Sequence, residues 1–125
     1  MNSSIKNYEA EGGIEGYHFG KPGSSDQKIA KTSSSTDLIT GITTELDAVN
    51  GEPVDLVHDG VHQLKLGGTV TRGQKLTSDA NGRGIAAVPA NDTNISVGAV
   101  ALASGVDGDI IPVIITIGQV QGEPA

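Results

Sequence analysis

The sequence predicts a mostly β protein with a single folded domain, and three observations support this. The 125 residues provide enough chain for one hydrophobic core. Glycine, with 18 residues, is about twice as frequent as in an average protein, which favours many turns. The apolar residues fall in short β-branched runs bounded by turn-forming residues, as in "TDLITGIT" and "PVDLV". We therefore expect many short strands joined by tight turns.

Composition and charge argue against several classes of function. The chain has no cysteine, so it has no disulfide framework, thiolate zinc site or cysteine nucleophile. Its 15 acidic and 8 basic residues give a net charge of −7, and such a surface repels nucleic-acid phosphates. No apolar run approaches the ~20 residues of a membrane helix, and "MNSSIKNYEAEGG" lacks the features of a signal peptide. We expect a soluble protein made in a cytoplasm, with no nucleic-acid or membrane partner.

The N-terminal segment contains all the aromatic residues, and glycine and proline interrupt it repeatedly. In one interpretation these aromatics fold back as a lid on the chain's own domain. In the other, residues 1–27 form an extended, flexible arm that contacts another surface, and residues 28–125 form the β domain. We favour the arm, and the polar run "SSDQKIAKTSSSTD" then acts as a hinge or linker. Its predicted anchors on the partner surface are Ile5, Tyr8, Ile14, Tyr17 and Phe19.

The segments "PVDLV" and "VHQLKL" predict a hairpin around "HDG". A two-residue turn mixes apolar and polar faces. A three-residue loop over 58–60, with its glycine left-handed, pairs Leu56 with His62 and Val54 with Leu64 and gives one apolar face. We therefore predict the three-residue loop.

His58 and His62 have the spacing of a zinc pair on a helix. The Asp-Gly turn between them forbids a helix, and no third ligand lies nearby in the sequence. We expect a turn residue and a half-buried strand residue, and no metal.

The stretch "VTRGQKLTSDANGRGIAAV" predicts two strands joined at "ANG". A phosphate-binding loop is disfavoured, because Gly73 is followed by Gln74, the lysine comes one place late, and no helix follows. A biotinyl or lipoyl carrier places its modified lysine at a hairpin tip. Here the tip is Asn81-Gly82, while Lys75 opens a strand.

The last two predicted strands are "NISVGAVALAS" and "DGDIIPVIITIGQV". Small residues on one face of the first let another backbone approach closely, which predicts self-association through Val97, Ala99, Ala101 and Ala103 or through a neighbouring edge. The second is apolar on both faces from Ile110 to Ile117, as in a strand buried between two layers. Pro112 implies a bulge or a sheet edge there.

No catalytic or cofactor-binding constellation is apparent in the sequence. Ser78 and Asp79 have no histidine partner compatible with the strands, and the loop of Asp107 and Asp109 is too short to supply a full oxygen shell for calcium. We expect a non-enzymatic protein with no cofactor. The residues that shape its turns are predicted to be Gly60, Gly73, Asn81, Gly82 and Gly108.

The series "PVDLVHDGVHQLKLGGTVTRGQKLTSDANGRGIAAV" and "ISVGAVALASGVDGDIIPVII" resembles the small β-domain capsid decoration or cement proteins of tailed bacteriophages, over roughly residues 50–117. The shared motifs are structural, for example "G-x-V-x-x-G-x-x-L" at Gly68 to Leu76 and "D-A-x-G" at Asp79 to Gly82. The resemblance does not extend to the N-terminal segment.

This resemblance implies a single small β-barrel or β-tulip-like domain that binds the outer surface of an assembled capsid. Its expected partners are the major capsid protein and, as a homotrimer, itself. Its expected location is the virion, after synthesis in the host bacterial cytoplasm. The rival interpretations are a carrier or accessory β domain and another virion subunit, such as a fibre or baseplate protein.

Overall fold

The computed structural model describes residues 5–89 and 94–121, which form ten β-strands and no helix. The predicted fold class, a mostly β protein with a small barrel, is confirmed. The strands are β1 Ile5–Ala10, β2 Phe19–Pro22, β3 Lys28–Lys31, β4 Gly41–Thr43, β5 Pro53–Val57, β6 Val61–Lys65, β7 Lys75–Ser78, β8 Gly84–Ala86, β9 Asn94–Ala101 and β10 Ile110–Gln121.

The first layer is a closed barrel in the order β1-β3-β2-β4-β5. β1 closes it by pairing antiparallel with β5, from Ile5 opposite Val57 to Glu9 opposite Pro53, and parallel with β3. The buried cluster of this layer is made of aliphatic side chains: Ala10, Ile14, Ile29, Ala48, Val54 and Leu56. Because the barrel has only five short strands, aliphatic side chains are enough to fill it.

The second layer is an open sheet in the order β6-β10-β9-β7-β8. The main core joins the two layers, because it contains Phe19, Ile42 and Val57 from barrel strands together with aliphatic residues of the sheet. Phe19 is fully buried there. A Cβ atom on Gly98 of β9 would lie 2.5 Å from Phe19 Cε1, so the ring needs glycine at that position.

The N-terminal residues are part of the barrel, which corrects the predicted arm. β1 and β2 lie within residues 5–22, and the predicted boundary at residues 27 and 28 coincides with the start of β3 in the same barrel. The described residues therefore form one domain. The sequence suggested an arm because the partners of β1 lie about fifty positions away, in β5, where no local periodicity can reveal them.

The predicted linker is also a fixed structure. It contains β3, and hydrogen bonds hold the loop that follows β3 in place. Asp37 accepts hydrogen bonds from Lys21 Nζ at 3.1 Å and from the Ser33 amide at 2.9 Å. The carbonyl oxygen of Ser35 accepts a hydrogen bond from the Ser96 amide of β9 at 2.7 Å, which connects this barrel loop to the sheet.

The loop at "HDG" has the predicted left-handed glycine, with a φ of 85° at Gly60, but the predicted hairpin is wrong. β5 pairs with β1 and β4, whereas β6 pairs with β10. The loop carries the chain from the barrel to the sheet. Val57 and Leu64 share the core between the layers. Matching apolar positions on both sides of a turn predict that the two strands bury their side chains in the same core. They do not show whether the two strands belong to one sheet or to two.

The other predicted turns are confirmed. β7 and β8 form a hairpin in which Leu76 pairs with Ala86 and Ser78 with Gly84. Asp79 Oδ1 accepts hydrogen bonds from the backbone amides of Asn81 and Arg83, which closes the turn. Positive φ values occur at the predicted turn glycines Gly60, Gly73, Gly82 and Gly108.

The burial of Phe19 predicts a large stability loss on truncation. Phe19→Ala should lower the free energy of unfolding by about 3–5 kcal/mol, because it empties the core between the layers. Leu46→Ala, at an exposed position, is the matched control and should change it by less than about 0.5 kcal/mol. Denaturant unfolding followed by circular dichroism measures both. If Phe19 lay in an exposed arm, the two substitutions would have equally small effects.

The Asp37 carboxylate predicts a stability loss that depends on pH. Burial opposes its ionisation, but the Ser33 amide and the Lys21 ammonium outweigh that effect and hold the pKa of Asp37 below its ordinary value. A carboxyl with a lowered folded-state pKa stabilises the fold above its unfolded pKa, and this contribution disappears as the pH falls through the folded pKa.

Asp37→Asn should therefore destabilise the protein at pH 7, and the difference from wild type should shrink as the pH falls below about 4. Urea midpoints measured from pH 7 to pH 3 test this. In a Lys21→Met background the substitution should cost less, because one partner is already absent. An equal loss at pH 7 and pH 3 would contradict this role of the ionised carboxylate.

Candidate interaction surface

The side of the β6-β10-β9 sheet that faces away from the barrel carries adjacent apolar side chains. The pairing register places Ile114 of β10 between Val61 of β6 and Val100 of β9. Pro112 lies opposite Gln63, and its carbonyl oxygen accepts a hydrogen bond from the Leu102 amide at 3.0 Å. We call this surface the outer face. Its apolar residues are Val61, Val100, Leu102, Ile110, Pro112 and Ile114.

Four large aliphatic side chains of the outer face are substantially exposed: Val61 58%, Ile110 45%, Leu102 41% and Ile114 40%. The alternate residues of β10 point to the core, where Ile111, Val113 and Ile115 are buried. The expectation that this strand is buried between two layers is therefore correct for one face only. Within the described residues, no second layer covers the outer face.

The strands of the sheet carry only positively charged side chains, although acidic side chains line the neighbouring cleft beside Lys65 and Ile110. These five strands contain Lys65 and Lys75 and no aspartate or glutamate, whereas the net charge of the protein is −7. Lys65 pairs with Ile110 at one side of the outer face, and Lys75 pairs with Val100 at another. The outer face thus has an apolar centre with an ammonium group on two of its sides.

The strand predicted to mediate self-association is used inside the protein instead. Val97, Ala99 and Ala101 are buried in the chain's own fold, and Ala103 packs partly against the main core. The small residues do permit close approach, as predicted, but the neighbours are the chain's own β7 and β10. Val97, Ala99 and Ala101 are therefore not available as an interface, which corrects that assignment for these three residues.

Of the five predicted anchors of the arm, only Ile5 is exposed. Ile14 and Phe19 are buried in the two cores. Tyr8 packs against the barrel core, and its hydroxyl hydrogen-bonds to His58 Nε2 at 2.8 Å. The ring of Tyr17 packs on that of His62 with centroids 5.7 Å apart. These aromatics hold the domain together and do not project from it.

A cleft of about 540 Å³ lies between the barrel and the sheet, next to the outer face. It is lined in part by Tyr17, Lys65, Arg83 and Ile110. Lys65 and Ile110 pair with each other at one side of the outer face. Tyr17 is the one non-glycine residue in ranges 5–89 and 94–121 with a positive φ, at 59°. Its amide donates to the Thr44 carbonyl and its carbonyl accepts from the Lys65 amide, so it links the two layers at this point.

Two acidic side chains that line the cleft, Glu15 and Asp47, have neighbouring partners. Burial disfavours the charged form of Glu15, but the ammonium of Lys31 at 3.0 Å outweighs it, and the pKa of Glu15 lies below its usual value. Asp47 Oδ1 accepts a hydrogen bond from the Gly16 amide at 2.8 Å. Arg83 forms ion pairs with Asp79 and Asp107, at 3.4 and 3.5 Å. These contacts fix the local fold.

The histidines have structural partners. His58 lies in the turn, and its Nδ1 donates to the Thr40 carbonyl oxygen at 2.8 Å. His62 lies half-buried in β6, and its Nε2 donates to the Thr43 carbonyl oxygen at 3.0 Å. Both positions are as predicted. In the parts of the chain that the structure describes, no three histidine, aspartate or glutamate side chains come together to hold a metal ion.

The remaining candidates for chemistry also have structural neighbours. Ser78 is buried, and its hydroxyl lies 2.6 Å from that of Thr32. Asp109 Oδ2 accepts a hydrogen bond from the Val106 amide, which closes its turn. As the sequence predicted, Lys75 is the first residue of β7 and lies away from the hairpin tip. Nowhere in the described residues is there a helix long and apolar enough to cross a membrane.

A continuous exposed apolar patch of this kind often marks a surface that contacts another molecule. A sequence model of the phage cement proteins matches residues 21–115, so the chain belongs to the phage cement protein family. It is thus a structural protein of the phage virion, and the resemblance stated from the sequence is confirmed.

One solved structure with a similar fold is the crystal structure of the head fiber gp8.5 N base in bacteriophage phi29. The TM-score is 0.72, with 14% sequence identity, and the similarity covers 96% of this chain and 99% of that chain. A search of curated proteins found no match. At this identity the similarity establishes a shared fold.

Because Ala99 is buried, we predict that a charged side chain at this position disrupts the fold. Ala99→Asp should unfold the protein, because an unpaired carboxylate would enter the main core. Leu102→Asp, three positions later and on the outer face, should leave the fold intact. Circular dichroism and analytical ultracentrifugation distinguish the outcomes. A folded monomer from Ala99→Asp would instead support the predicted self-association strand.

Proposed function

We propose that the protein binds the outer surface of an assembled phage capsid and stabilises the shell without catalysing a reaction. The observation that carries this proposal is the match to the phage cement protein family over residues 21–115. The outer face supports it, because an exposed apolar patch of neighbouring side chains is a common feature of docking surfaces.

The physical basis of such a function is mass action. A ligand that binds the assembled shell and not its separated subunits stabilises the shell by an amount that grows with ligand concentration. Many copies on one particle add up, so each copy needs only a modest affinity. A net charge of −7 also limits the association of crowded particles through the faces left exposed.

The proposed partners are the major capsid protein and other copies of this chain. The homotrimer rests on the family resemblance. Its contact surface has to lie outside the strand predicted from the sequence, because Val97, Ala99 and Ala101 are buried within the protomer. Analytical ultracentrifugation of the wild-type protein tests the trimer in solution.

The carrier alternative needs a modified lysine, and the geometry does not favour one. Lys65 and Lys75 lie within β6 and β7, while the hairpin tip is formed by residues 79–83. The intact mass of the protein from infected cells would reveal an adduct if a carrier role applied. The fibre or baseplate alternative differs in location, and cryo-electron microscopy of virions separates it from a capsid location.

Binding to assembled shells is the direct test of the proposed function. Labelled protein should cosediment saturably with capsids that lack it, and should not cosediment with unassembled capsid protein. It should also raise the temperature at which the shells disrupt, because the bound form is stabilised by mass action. The unfolded variant Ala99→Asp is the control and should do neither. Absence of saturable binding by the folded wild-type protein would refute the proposal.

A further inference from the structure

We propose that the outer face of the β6-β10-β9 sheet is the surface that contacts the capsid, and that it fits a protein surface with an apolar centre and carboxylates at its rim. This inference rests on the proposed function and specifies which part of the protein performs it. Its central residue is Ile114, which lies between Val61 and Val100 in adjacent strands.

The first argument is the composition of β10. A sheet with one face in water normally alternates apolar and polar residues along each strand. Over residues 110–115, β10 instead has Ile110, Pro112 and Ile114 at the outward positions and isoleucine or valine at the inward ones. This is the composition of a strand covered on both faces, and the described chain covers only one. In this proposal the cover of the second face comes from the capsid.

The second argument is clustering. Other exposed aliphatic side chains, such as Leu46, Val49 and Val88, lie in loops. Single exposed side chains of this kind are normal on soluble proteins. The outer face differs, because its apolar residues occupy neighbouring positions on three paired strands and form a continuous surface.

The third argument is charge, which identifies the kind of partner. The five strands of the sheet contribute only ammonium groups, from Lys65 and Lys75. Two copies packed through this face would bring four lysines and no strand carboxylate into one interface, which costs energy through repulsion. A partner with carboxylates around an apolar centre complements the same groups. The carboxylates of this partner would repel the acidic surfaces elsewhere on the chain. The protein would therefore approach the partner with its outer face first.

The central test compares two threonine substitutions of exposed, β-branched residues. Ile114→Thr removes apolar area at the centre of the outer face, whereas Val88→Thr does so at a loop position that is 77% exposed. Both should fold as wild type does, as checked by circular dichroism. Ile114→Thr should weaken binding to assembled capsids at least tenfold, because central apolar contacts dominate interfaces. Val88→Thr should bind as wild type does.

A second pair of variants tests the charge of the partner. The double substitution Lys65→Gln and Lys75→Gln should weaken capsid binding several-fold and reduce its dependence on salt concentration, because two ion pairs are lost. The control is Lys28→Gln, which changes an exposed lysine on the barrel that lies 3.7 Å from Glu9. It should leave both the affinity and the salt dependence nearly unchanged.

The outcomes separate the inference from the proposed function. If the wild-type protein fails to bind shells, the proposed function fails. If wild type binds and the folded Ile114→Thr variant binds equally well, the outer face is not the contact and this inference is overturned. If Ile114→Thr changes the sedimentation of the free protein and leaves shell affinity unchanged, a second copy covers the face, which also overturns it.

Discussion

The packing of Phe19 against β9 is the contact on which the two-layer structure depends. Phe19 extends from β2 on the outside of the barrel, is fully buried, and occupies space that the missing side chain of Gly98 leaves free. It is the chain's one phenylalanine, so no other residue of its kind contributes to the core between the layers. Since the barrel covers the inner face of the sheet through this contact, the opposite face of the sheet is the one that remains uncovered.

Closure of the barrel by β1 has a similar consequence for the N-terminal part of the chain. β1 pairs with β5 from Ile5 to Glu9 and with β3 at Glu9 and Ala10, and this pairing closes the barrel. The same closure places Tyr8 beside His58 and leaves Ile14 in the barrel core. These residues therefore stabilise the fold, and the docking surface that we propose lies on the second sheet.

The charge distribution favours one orientation of the outer face toward the proposed partner. Lysines flank the apolar outer face, while the chain as a whole carries a net charge of −7. Apolar contact supplies affinity, and complementary charge supplies orientation and discourages association with another copy through the same face. The buried alanines of β9 show that close approach between strands is used to build the protomer. Assembly contacts must therefore use residues that the fold leaves exposed.

The sequence by itself determined the β class, the turns at Gly60, Gly73, Gly82 and Gly108, the β7-β8 hairpin and the family, because these depend on local conformation and on short patterns. It also indicated that the segment from Ile110 to Ile117 is apolar on both faces. Only the tertiary structure decided which face is covered, that "HDG" joins two sheets, and that Phe19 lies in the core. Those properties depend on pairings between strands far apart in the chain, such as β1 with β5, and no local periodicity encodes which distant partner a strand will find.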